Sequence, residues 1–421
     1  MKVLYLTWGE TPRSYGIYKS QVIEQFVETS RQIENSKFYF IAGLPIVHSG
    51  LLREKYKYYS NEVKNIRAIF LENNIDFSIV PIFCTQNFIN STKVTFRFMH
   101  TISSMILKSK VKLINPDVIH CRSYHACFAA LTLKSKFGYH YKIVFDGRGL
   151  WPEEVALKKG WDINNNNYLY LKEIEKMLLK NSDVSISVSD TMFSHYERLG
   201  AKKVENIYLS TNFDLISKEK EQVLTGKIKK NTITLLYLGA LSNSTWHTSS
   251  SLLKLYRHLK SQLGNLKLLI VTTSNHESIR SYFGELSNSE IEITSTKTTL
   301  ELSDVLSRAD LGCLPYRDNK NAFENLIGNT LLGTKTVEFL AARLPVLCNR
   351  NCGGAAKIIE KGRLGIVYDP DSMLELSQNS IIDILDNGIS TDDLIMLKRD
   401  FDYIDNAKKI ESIYLKLCSN Y

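Results

Sequence analysis

Short apolar segments alternate with helical periodicity along the whole chain, and this alternation limits the fold more than any other feature of the 421-residue sequence. The short segments are rich in β-branched and aromatic residues and nearly continuously apolar, as strands of a parallel sheet covered on both faces are. In the first half, strands are predicted over Val3–Thr7, Phe38–Ala42, Asp76–Ile82, Val118–His120, Ile143–Asp146 and Val184–Ser187. Helices are predicted over Tyr18–Ser30, Glu54–Asn73, Thr92–Ile114, His125–Phe137, Leu169–Asn181 and Thr191–Gly200. Such repetition indicates a doubly wound α/β sheet.

The alternation stops at a polar segment, Asp214–Thr232, and then resumes in a second series of the same kind. Strands are predicted over Thr234–Leu238, Lys267–Thr272, Ile291–Ser295, Leu311–Pro315, Val346–Asn349 and Gly365–Tyr368, with helices near 249–263, 301–308, 334–342, 354–360, 371–386 and 404–419. The sequence therefore predicts an α/β protein of two Rossmann-like, doubly wound domains facing a central cleft. We expect an N-terminal domain over 1–212, a linker over 213–232, a C-terminal domain over 233–403 and a C-terminal helix over 404–421.

The net charge of +9 is confined to one part of the chain. Residues 51–142 carry 14 basic and 5 acidic side chains, whereas residues 213–421 carry 25 of each. Within the basic window, the predicted helix Lys93–Leu113 has Phe98, Ile102 and Met105 on one side and lysines near its ends. A cationic amphipathic helix is typical of proteins that bind an anionic membrane surface, although core packing with a solvated basic face gives the same pattern. No nucleic-acid binding module accompanies the charge, so we expect no nucleic-acid partner.

The cysteines and the apolar segments give an expectation for location. The seven cysteines are scattered, and the close pair Cys348 and Cys352 has no second pair or histidine at zinc-site spacing. We read them as reduced thiols without a metal. Because the sequence has no run of 18 apolar residues and opens on only a short apolar run, we expect a cytoplasmic protein.

The segment that begins at Gly333 has the features of a phosphate-binding helix start. The predicted helix begins near Thr334, where backbone N–H groups, the Lys335 ammonium and the Thr336 hydroxyl can bind an anion. One turn further on, Glu338 can accept hydrogen bonds from the hydroxyls of a ribose, or it can simply balance the helix dipole. The residues after the first strand, WGETPRSYG, do not match the glycine pattern of classical dinucleotide sites.

Several segments together resemble glycosyltransferase family 4, whose members have the GT-B fold. Lys335–Val346 followed by Gly353 and Gly354 is similar to the family signature, and Asp146–Glu154 is similar to the D-x-R-G-x-W-x-x-E segment of a subset of the family. Val188-Ser189, Leu236–Leu241 and the loop and helix at 16–22 lie in the expected order. The resemblance implies retaining transfer of a sugar from a UDP or GDP sugar, with no essential metal and no cofactor. It also implies that the N-terminal domain binds the acceptor, that the C-terminal domain binds the nucleotide sugar and that the C-terminal helix crosses back to the N-terminal domain.

The sequence departs from the family pattern at two places. Thr330 stands where the family has the first glutamate of the donor-site pair, and Glu324 is a candidate substitute. The Arg and Lys-Gly that grip the pyrophosphate in many members are replaced by Gly239-Ala240-Leu241, so that Lys335 and Arg317 become the candidate cations.

The candidate site residues fall into three groups. Catalytic candidates are Asp146, Arg148 and Glu153. Donor-binding candidates are Gly16, Gly239, Arg317, Thr334, Lys335, Thr336, Glu338, Gly353 and Gly354. Acceptor-side candidates are Arg13, Tyr18, His120, Arg122 and His125. Asp146 can accept from a sugar hydroxyl, and Arg148 can hold a phosphate or pair with Glu153, although a local Asp-Arg salt bridge that stabilises the turn is the alternative.

These observations favour a glycosyltransferase that acts on a glycan or lipid-linked acceptor in bacterial surface polysaccharide synthesis, peripheral at the inner membrane. A GT-B sugar-nucleotide epimerase is one alternative. The other is a catalytically inactive GT-B sugar-binding or partner subunit, which Thr330 and the missing cations favour.

Overall fold

The computed structural model of the protein describes residues 1–46, 53–89, 92–217, 232–241, 246–319 and 321–419, and these residues form two compact units. The first unit comprises Met1–Tyr208, Ala322–Ile327 and Tyr403–Tyr421. The second comprises Leu209–Asn321 and Gly328–Asp402. Each unit is built on a parallel sheet with helices, which confirms the predicted pair of Rossmann-like α/β folds.

Within the described residues, the first unit contains seven strands. They are β1 Lys2–Trp8, β2 Lys37–Pro45, β3 Ile75–Ile82, β4 Val118–Arg122, β5 Lys142–Asp146, β6 Val184–Ser187 and β7 Val204–Asn206. The first helical segment runs from Gly16–Tyr18 through a π-helical stretch, Lys19–Glu24, to Gln25–Gln32. The other helices are Arg53–Glu72, Lys93–Ile114, Tyr124–Phe137, Trp151–Lys159, Asn166–Asn181, Asp190–Arg198, Ala322–Thr330, whose last turn belongs to the second unit, and Tyr403–Cys418, with a short 3₁₀ turn at Gln86–Phe88.

The strand order of the first sheet is β3-β2-β1-β4-β5-β6-β7, with every pairing parallel. The central strand β1 pairs on both sides, so that Val3 lies opposite Phe38 in β2 and opposite Val118 in β4. Because helices cover both faces of such a sheet, β1 is buried over almost its whole length. An aromatic cluster on one face includes Tyr5 and Phe26, whose ring centres are 4.8 Å apart.

The described part of the second unit contains six parallel strands in the order β10-β9-β8-β11-β12-β13. The strands are β8 Ile233–Leu238, β9 Leu266–Val271, β10 Ile291–Thr294, β11 Leu311–Leu314, β12 Val346–Asn349 and β13 Gly365–Tyr368. The helices are Ser249–Leu263, His276–Tyr282, Thr299–Ser307, Thr334–Ala341, Gly353–Gly362, Gln378–Asn387 and Thr391–Phe401. Leu235 of β8 and four leucines of the helix Ser249–Leu263 lie in one core cluster of this unit.

The C-terminal helix Tyr403–Cys418 returns to the first unit, as the predicted GT-B fold requires. Ile410, Ile413 and Tyr414 of this helix join the same core cluster as Phe26. The Gln25 amide donates to the Tyr403 carbonyl oxygen at 3.3 Å. The last helix therefore completes the core of the unit with which the chain begins.

The predicted linker lies largely outside the described residues. Residues 213–217 are helical and pack within the second unit, where Phe213 N donates to Asp402 Oδ2 at 3.3 Å. Residues 218–231 are not among those described. The boundaries at 212 and 232 therefore stay predictions.

The prediction of a helix over 371–386 was wrong at its start. Asp369 Oδ1 accepts from Asp371 N at 2.8 Å, and Met373 has a left-handed φ of 50°. This turn delays the helix until Ser377, whose hydroxyl caps the first turn of Gln378–Asn387. The short strand β7 and the helices Trp151–Lys159, His276–Tyr282, Ala322–Thr330 and Thr391–Phe401 were not predicted.

No helix in the described part of the chain is both long enough and apolar enough to cross a membrane.

Candidate active site

The strand order of each sheet reverses at one point. In open α/β sheets the crevice outside the carboxyl ends of the strands at this point binds ligands. The reversal lies between β1 and β4 in the first unit and between β8 and β11 in the second. The residues that follow these strands and their neighbours therefore decide what each unit can bind.

Asp146 ends β5, and its side chain is completely buried. Its Oδ2 atom lies 2.7 Å from Arg148 Nε and 3.4 Å from His120 Nε2. Its Oδ1 atom has no hydrogen-bond partner among the described residues. Burial raises the pKa of Asp146, but the Arg148 charge and the hydrogen bond from His120 outweigh burial and hold that pKa below its usual value. The carboxylate is therefore ionised at neutral pH, and its unpartnered Oδ1 is enclosed by the protein. Asp146 is not among the residues that line the pocket described below, whereas its partner Arg148 is.

The loop after β5 is shaped by two glycines and one left-handed residue. Arg148 has a φ of 60°, a conformation that non-glycine residues rarely adopt. A Cβ atom on Gly147 would lie 2.0 Å from the Tyr196 hydroxyl oxygen, so no larger residue fits there. The Tyr124 hydroxyl oxygen lies 3.0 Å from the Gly149 carbonyl oxygen. Side chains of the same unit thus fix the backbone of this loop.

A pocket of about 190 Å³ opens beside the loop. It is lined by Glu10, Asn87, Ser123, Tyr124, His125, Gly147, Arg148, Gly149, Trp151 and Glu154. Two aromatic rings, an imidazole, a guanidinium, two carboxylates and smaller polar groups converge in this small space. A few placed polar groups around an apolar surface are typical of small-molecule sites, and these groups can bind the hydroxyls of a sugar ring.

Glu154, and not Glu153, reaches this pocket. The Glu153 carboxylate is buried, where it accepts a hydrogen bond from the Tyr168 hydroxyl at 3.0 Å and lies 2.7 Å from Lys172 Nζ. The predicted pairing of Glu153 with Arg148 does not occur, because Arg148 pairs with the carboxylate at the end of β5 instead. Glu154 is also the glutamate that ends the D-x-R-G-x-W-x-x-E segment, so the sequence pattern already indicated Glu154 rather than Glu153.

Glu153 belongs to a buried network. The Lys172 ammonium pairs with Glu175 as well as with Glu153. Glu175 also accepts from the Tyr124 hydroxyl at 2.7 Å and lies 3.7 Å from His195 Nε2. Burial raises the pKa of Glu175, but His195 and Lys172 outweigh burial and lower it, whereas burial and the neighbouring Glu175 charge raise the pKa of Glu153. Through Tyr124 the network braces the loop after β5.

His125 is the acceptor-side candidate that the structure brings into the pocket. Its Nδ1 atom lies 3.1 Å from His100 Nε2, and the Phe88 ring stacks on both imidazoles at centre distances of 3.9 and 4.5 Å. The Trp151 ring meets His125 edge-on at 4.4 Å. Burial lowers the pKa of His100 to about 3 and, together with the His100 charge, lowers that of His125. Both imidazoles are therefore neutral at pH 7.

Three other acceptor-side candidates do not line the pocket. His120 is buried behind the carboxylate at the end of β5. The buried Tyr18 hydroxyl lies 3.1 Å from Thr7 Oγ1, and burial raises its pKa. Arg122 ends β4, and its Nε lies 3.1 Å from the Oε2 atom of Glu10, which itself lines the pocket. Arg122 therefore contributes to the pocket by holding the Glu10 carboxylate in place.

Arg13 and Gly16 are exposed in the loop after β1, and neither lines the pocket. Arg13 lies over the Tyr15 ring at 5.8 Å. Gly16 opens the first helical segment with a left-handed φ of 61°, and no atom lies within 4 Å of the place a Cβ would take. Glycine is thus used here for its conformation, and the binding roles of both residues stay predictions.

In the second unit, Lys335 lies against the end of β8. Its ammonium is 5.3 Å from the centre of the Tyr237 ring, and a Cβ on Gly239 would lie 2.4 Å from Lys335 Nζ. Gly239 also has a left-handed φ of 120°. Thr336 is fully buried, and its Oγ1 has no hydrogen-bond partner among the described residues. The glycine after β8 therefore makes room for a cation beside the first turn of the helix that begins at Thr334.

Glu338 follows in the same helix, and neither it nor Lys335 has an ion-pair or hydrogen-bond partner within the described ranges. Burial raises the pKa of Glu338 to about 7 in spite of the Lys335 charge. Burial also lowers the pKa of Lys335 to about 8 in spite of Glu338. His247, which the sequence did not indicate, is buried near this cation, and burial and the Lys335 charge lower its pKa.

The remaining donor-side candidates lie nearby in the fold of the second unit. The Arg317 guanidinium lies 5.0 Å from the centre of the Trp246 ring. A Cβ on Gly353 would lie 2.9 Å from the Asn329 carbonyl oxygen, and a Cβ on Gly354 would lie 2.4 Å from that of Leu331. The glycine pair therefore lets a helix begin directly against the end of Ala322–Thr330.

Thr330, which stands at the position of the missing glutamate, and Glu324, its candidate substitute, belong to different units. Thr330 ends the helix Ala322–Thr330 and belongs to the second unit, whereas the buried Glu324 belongs to the first. That Glu324 substitutes for the missing glutamate stays a prediction. The described ranges hold no group of three or more His, Cys, Asp or Glu side chains that can bind a metal ion.

Two family models match the chain. The model described as "Glycosyltransferase Family 4" matches residues 71–214, and the model described as "Glycosyl transferases group 1" matches residues 232–387. No curated protein matches the chain.

Several solved structures share the fold over the full length. A glycosyltransferase from Rickettsia africae is 15% identical, with a TM-score of 0.67 and coverage of 100% of this chain and 99% of that one. Anabaena HepE in complex with UDP and glucose is 12% identical, with a TM-score of 0.59 and coverage of 98% and 99%. The lipopolysaccharide outer core galactosyltransferase WaaB is 13% identical, with a TM-score of 0.61 and coverage of 99% and 100%.

The paired parallel sheets, the returning C-terminal helix and the two family matches define the class of protein: the chain is a glycosyltransferase of the GT-B fold. Within that class it resembles family 4 in its first unit and the group 1 glycosyl transferases in its second.

Proposed function

We propose that the protein transfers a sugar from a UDP or GDP sugar, with retention, to a glycan or lipid-linked acceptor in bacterial surface polysaccharide synthesis, at the cytoplasmic face of the inner membrane. The observation that carries the proposal is the cluster of Gly239, Lys335, Thr336 and Glu338 at the strand-order reversal of the second unit. The complex of HepE with UDP and the lipopolysaccharide role named for WaaB support the donor and the pathway. The family resemblance supports retention.

The second unit binds the nucleotide. A diphosphate fits the first turn of the helix Thr334–Ala341, because its N–H groups, the Lys335 ammonium and the buried Thr336 hydroxyl can all donate to phosphate oxygens. Glu338, one turn further on, accepts from the ribose hydroxyls. As the sugar departs, negative charge grows on the diphosphate, and donors that are already oriented stabilise it without reorganisation.

The first unit binds the acceptor and the sugar in transfer. Asp146 Oδ1 accepts a hydrogen bond from a sugar hydroxyl, while Arg148 holds the other carboxylate oxygen in place. Trp151 and His125 offer a ring face and a neutral imidazole to the acceptor in the pocket beside the loop. The departing phosphate takes the proton of the acceptor hydroxyl, so that no carboxylate has to act as a nucleophile. Glu153 supports the loop from its buried network and does not touch substrate.

The helix Lys93–Ile114 supports a membrane location. It contains five Lys or Arg and no Asp or Glu, and its face opposite the buried side chains exposes Val94, Phe98, Met105 and Leu113. Lys108 Nζ lies 3.7 Å from the ring centre of the half-exposed Phe137. Apolar side chains flanked by cations fit an anionic lipid surface.

Vesicle binding tests the membrane location. The protein should sediment with vesicles that contain phosphatidylglycerol, should sediment less with phosphatidylcholine alone, and should be released by about 0.5 M salt, at which the Debye length is only a few ångströms. Nucleotide affinity should change far less over the same salt range. Equal binding to both vesicle types would contradict the membrane role.

A nucleotide panel tests the donor. UDP or GDP should raise the melting temperature of the protein more than CMP or ADP, because a ligand that binds the native state stabilises it. Glu338→Ala should weaken the binding of that nucleotide. An unchanged dissociation constant would show that Glu338 does not contact the ribose.

Incubation with nucleotide sugars then separates the functions. Slow release of the nucleotide from one donor supports transfer, and exchange at the sugar ring supports the epimerase. Binding of a sugar nucleotide without any turnover supports an inactive sugar-binding subunit, for which the threonine at position 330 is the motivating observation. Failure to bind any donor would contradict both enzyme functions.

A further inference from the structure

His120 is buried between the catalytic candidate Asp146 and the last helix of the chain. Its Nε2 atom lies 3.4 Å from Asp146 Oδ2, and its Nδ1 atom lies 2.7 Å from the Tyr414 hydroxyl oxygen. The Tyr5 ring of β1 stacks on the imidazole at a centre distance of 4.6 Å. The imidazole is therefore fixed by contacts at both nitrogens and on one face.

The direction of the two hydrogen bonds follows from the charges. Asp146 is ionised and can only accept, so the proton of the imidazole is on Nε2. Burial lowers the pKa of His120 despite the hydrogen bond and the charge of Asp146, which leaves the ring neutral with Nδ1 as an acceptor. The Tyr414 hydroxyl, whose pKa burial raises, is protonated and donates to Nδ1.

We propose that Tyr414 positions the Asp146 carboxylate through His120, so that the C-terminal helix sets the orientation of a catalytic group in the first unit. Tyr414 fixes the tautomer of His120 with the proton on Nε2, and that proton holds Asp146 Oδ2. The carboxylate in turn holds Arg148, which lines the pocket, while its buried Oδ1 has no hydrogen-bond partner in the described ranges and keeps its capacity to accept one. The proposal rests on the proposed function, because it needs Asp146 to contact the sugar.

Other charged and titratable groups surround Asp146 and do not fix this tautomer. Arg148 comes from the loop after β5 and Arg122 from β4, and both lower the pKa of Asp146. Tyr196 comes from the helix Asp190–Arg198, and Glu10 follows β1 and pairs with Arg122. None of these groups contacts His120 Nδ1, which accepts only from Tyr414 among the described side chains.

The test uses the full-length protein with ¹⁵N-labelled histidine. In the native protein the His120 ring should show the Nε2–H tautomer, assigned by the loss of its signals in His120→Gln. Tyr414→Phe should populate the Nδ1–H tautomer of His120 and lower kcat about tenfold, with the nucleotide dissociation constant and the donor KM unchanged. Tyr141→Phe is the matched control, because it removes another buried tyrosine hydroxyl of the same unit, one that donates to the Ala130 carbonyl oxygen.

The proposed role of Tyr414 would be overturned if Tyr414→Phe left either the His120 tautomer or kcat unchanged. A kcat loss of equal size in Tyr141→Phe would also overturn it, since the effect would then be one of general stability. If Tyr414→Phe does not fold, the pair His120→Gln and His120→Leu decides instead. The glutamine can still donate to Asp146, so His120→Gln should retain a higher kcat than His120→Leu. Equal activities of the two variants would contradict the proposal. Failure of the proposed function is separate, because a protein that turns over no donor still reports the His120 tautomer.

Discussion

The two candidate sites differ in whether their charged side chains have ion-pair partners. In the first unit, Asp146 pairs with Arg148, and Arg122 pairs with Glu10. In the second unit, Lys335 has no ion-pair partner among the described residues, and burial lowers its pKa. Charges that are already paired inside the protein suit a neutral ligand such as a sugar, whereas a partly buried ammonium without an ion-pair partner gains most from an anion. The difference supports an acceptor site in the first unit and a diphosphate site in the second.

The largest expected effect tests the paired side of this comparison. Lys172→Met should destabilise the protein by about 3–5 kcal/mol, because it leaves two buried carboxylates, Glu153 and Glu175, without the ammonium that they share. Urea unfolding followed by circular dichroism measures the loss. Lys176→Met, an exposed residue of the same helix, should change stability by less than about 0.5 kcal/mol. Equal effects would show that the buried pairs are not what holds the loop after β5.

Asp146→Asn should lower the rate of sugar transfer by about 10²–10³-fold, the usual loss when one preorganised polar group is removed from a reacting centre. The nucleotide dissociation constant should stay within about twofold, because Asp146 belongs to the first unit. The measurements are nucleotide release from the preferred donor and calorimetric titration with the nucleotide alone. A parallel loss of nucleotide affinity would show that the two sites do not divide the substrates as proposed.

Lys335→Met should weaken nucleotide binding about 10- to 30-fold, the range expected when a charge-assisted contact to phosphate is lost. The same calorimetric titration measures it. Lys357→Met is the control, because Lys357 is an exposed lysine of the helix Gly353–Gly362 in the same unit. If both variants bind equally well, the phosphate is not held at the start of the helix Thr334–Ala341.

Nucleotide affinity should be highest between about pH 7 and pH 8. Glu338, whose pKa burial raises to about 7, loses its charge below that pH and accepts less well from ribose hydroxyls. Lys335, whose pKa burial lowers to about 8, loses its charge above that pH and no longer attracts phosphate. Affinity should fall by at most about tenfold per pH unit on each side, since one proton is involved on each limb. Glu338→Gln should flatten the acid limb only, and a flat profile in the native protein would contradict both assignments.

The smallest effect concerns the space beside Lys335. Gly239→Ala and Gly264→Ala should each cost about 1 kcal/mol of stability, because both glycines have left-handed backbone conformations. A Cβ at Gly239 meets the Lys335 side chain, whereas no atom lies within 4 Å of one at Gly264. Only Gly239→Ala should therefore also weaken nucleotide binding, by a few-fold. Equal nucleotide affinities in the two variants would show that Gly239 serves the turn alone.

The sequence predicted the parts of the molecule that depend on local pattern. Buried parallel strands are continuously apolar, so twelve of the strands and both sheets followed from composition and spacing alone. The helix start at Thr334 followed from the glycine and the polar residues around it. These features need no knowledge of what packs against them.

The parts that depend on direction or on distant contacts did not follow. Glu153 and Glu154 are neighbours, but successive residues of a helix point about 100° apart, so only one of them faces the pocket. The contact of Tyr414 with His120 joins residues 294 positions apart. Nothing in the local sequence of the C-terminal helix distinguishes that tyrosine from a core residue.

The return of the C-terminal helix has a consequence for synthesis on the ribosome. The first unit takes its last piece, Tyr403–Tyr421, from the end of the chain, so a nascent chain that already contains the whole sheet of that unit still lacks the helix that packs on Phe26. The first unit can therefore reach its final core only after the second unit has been translated.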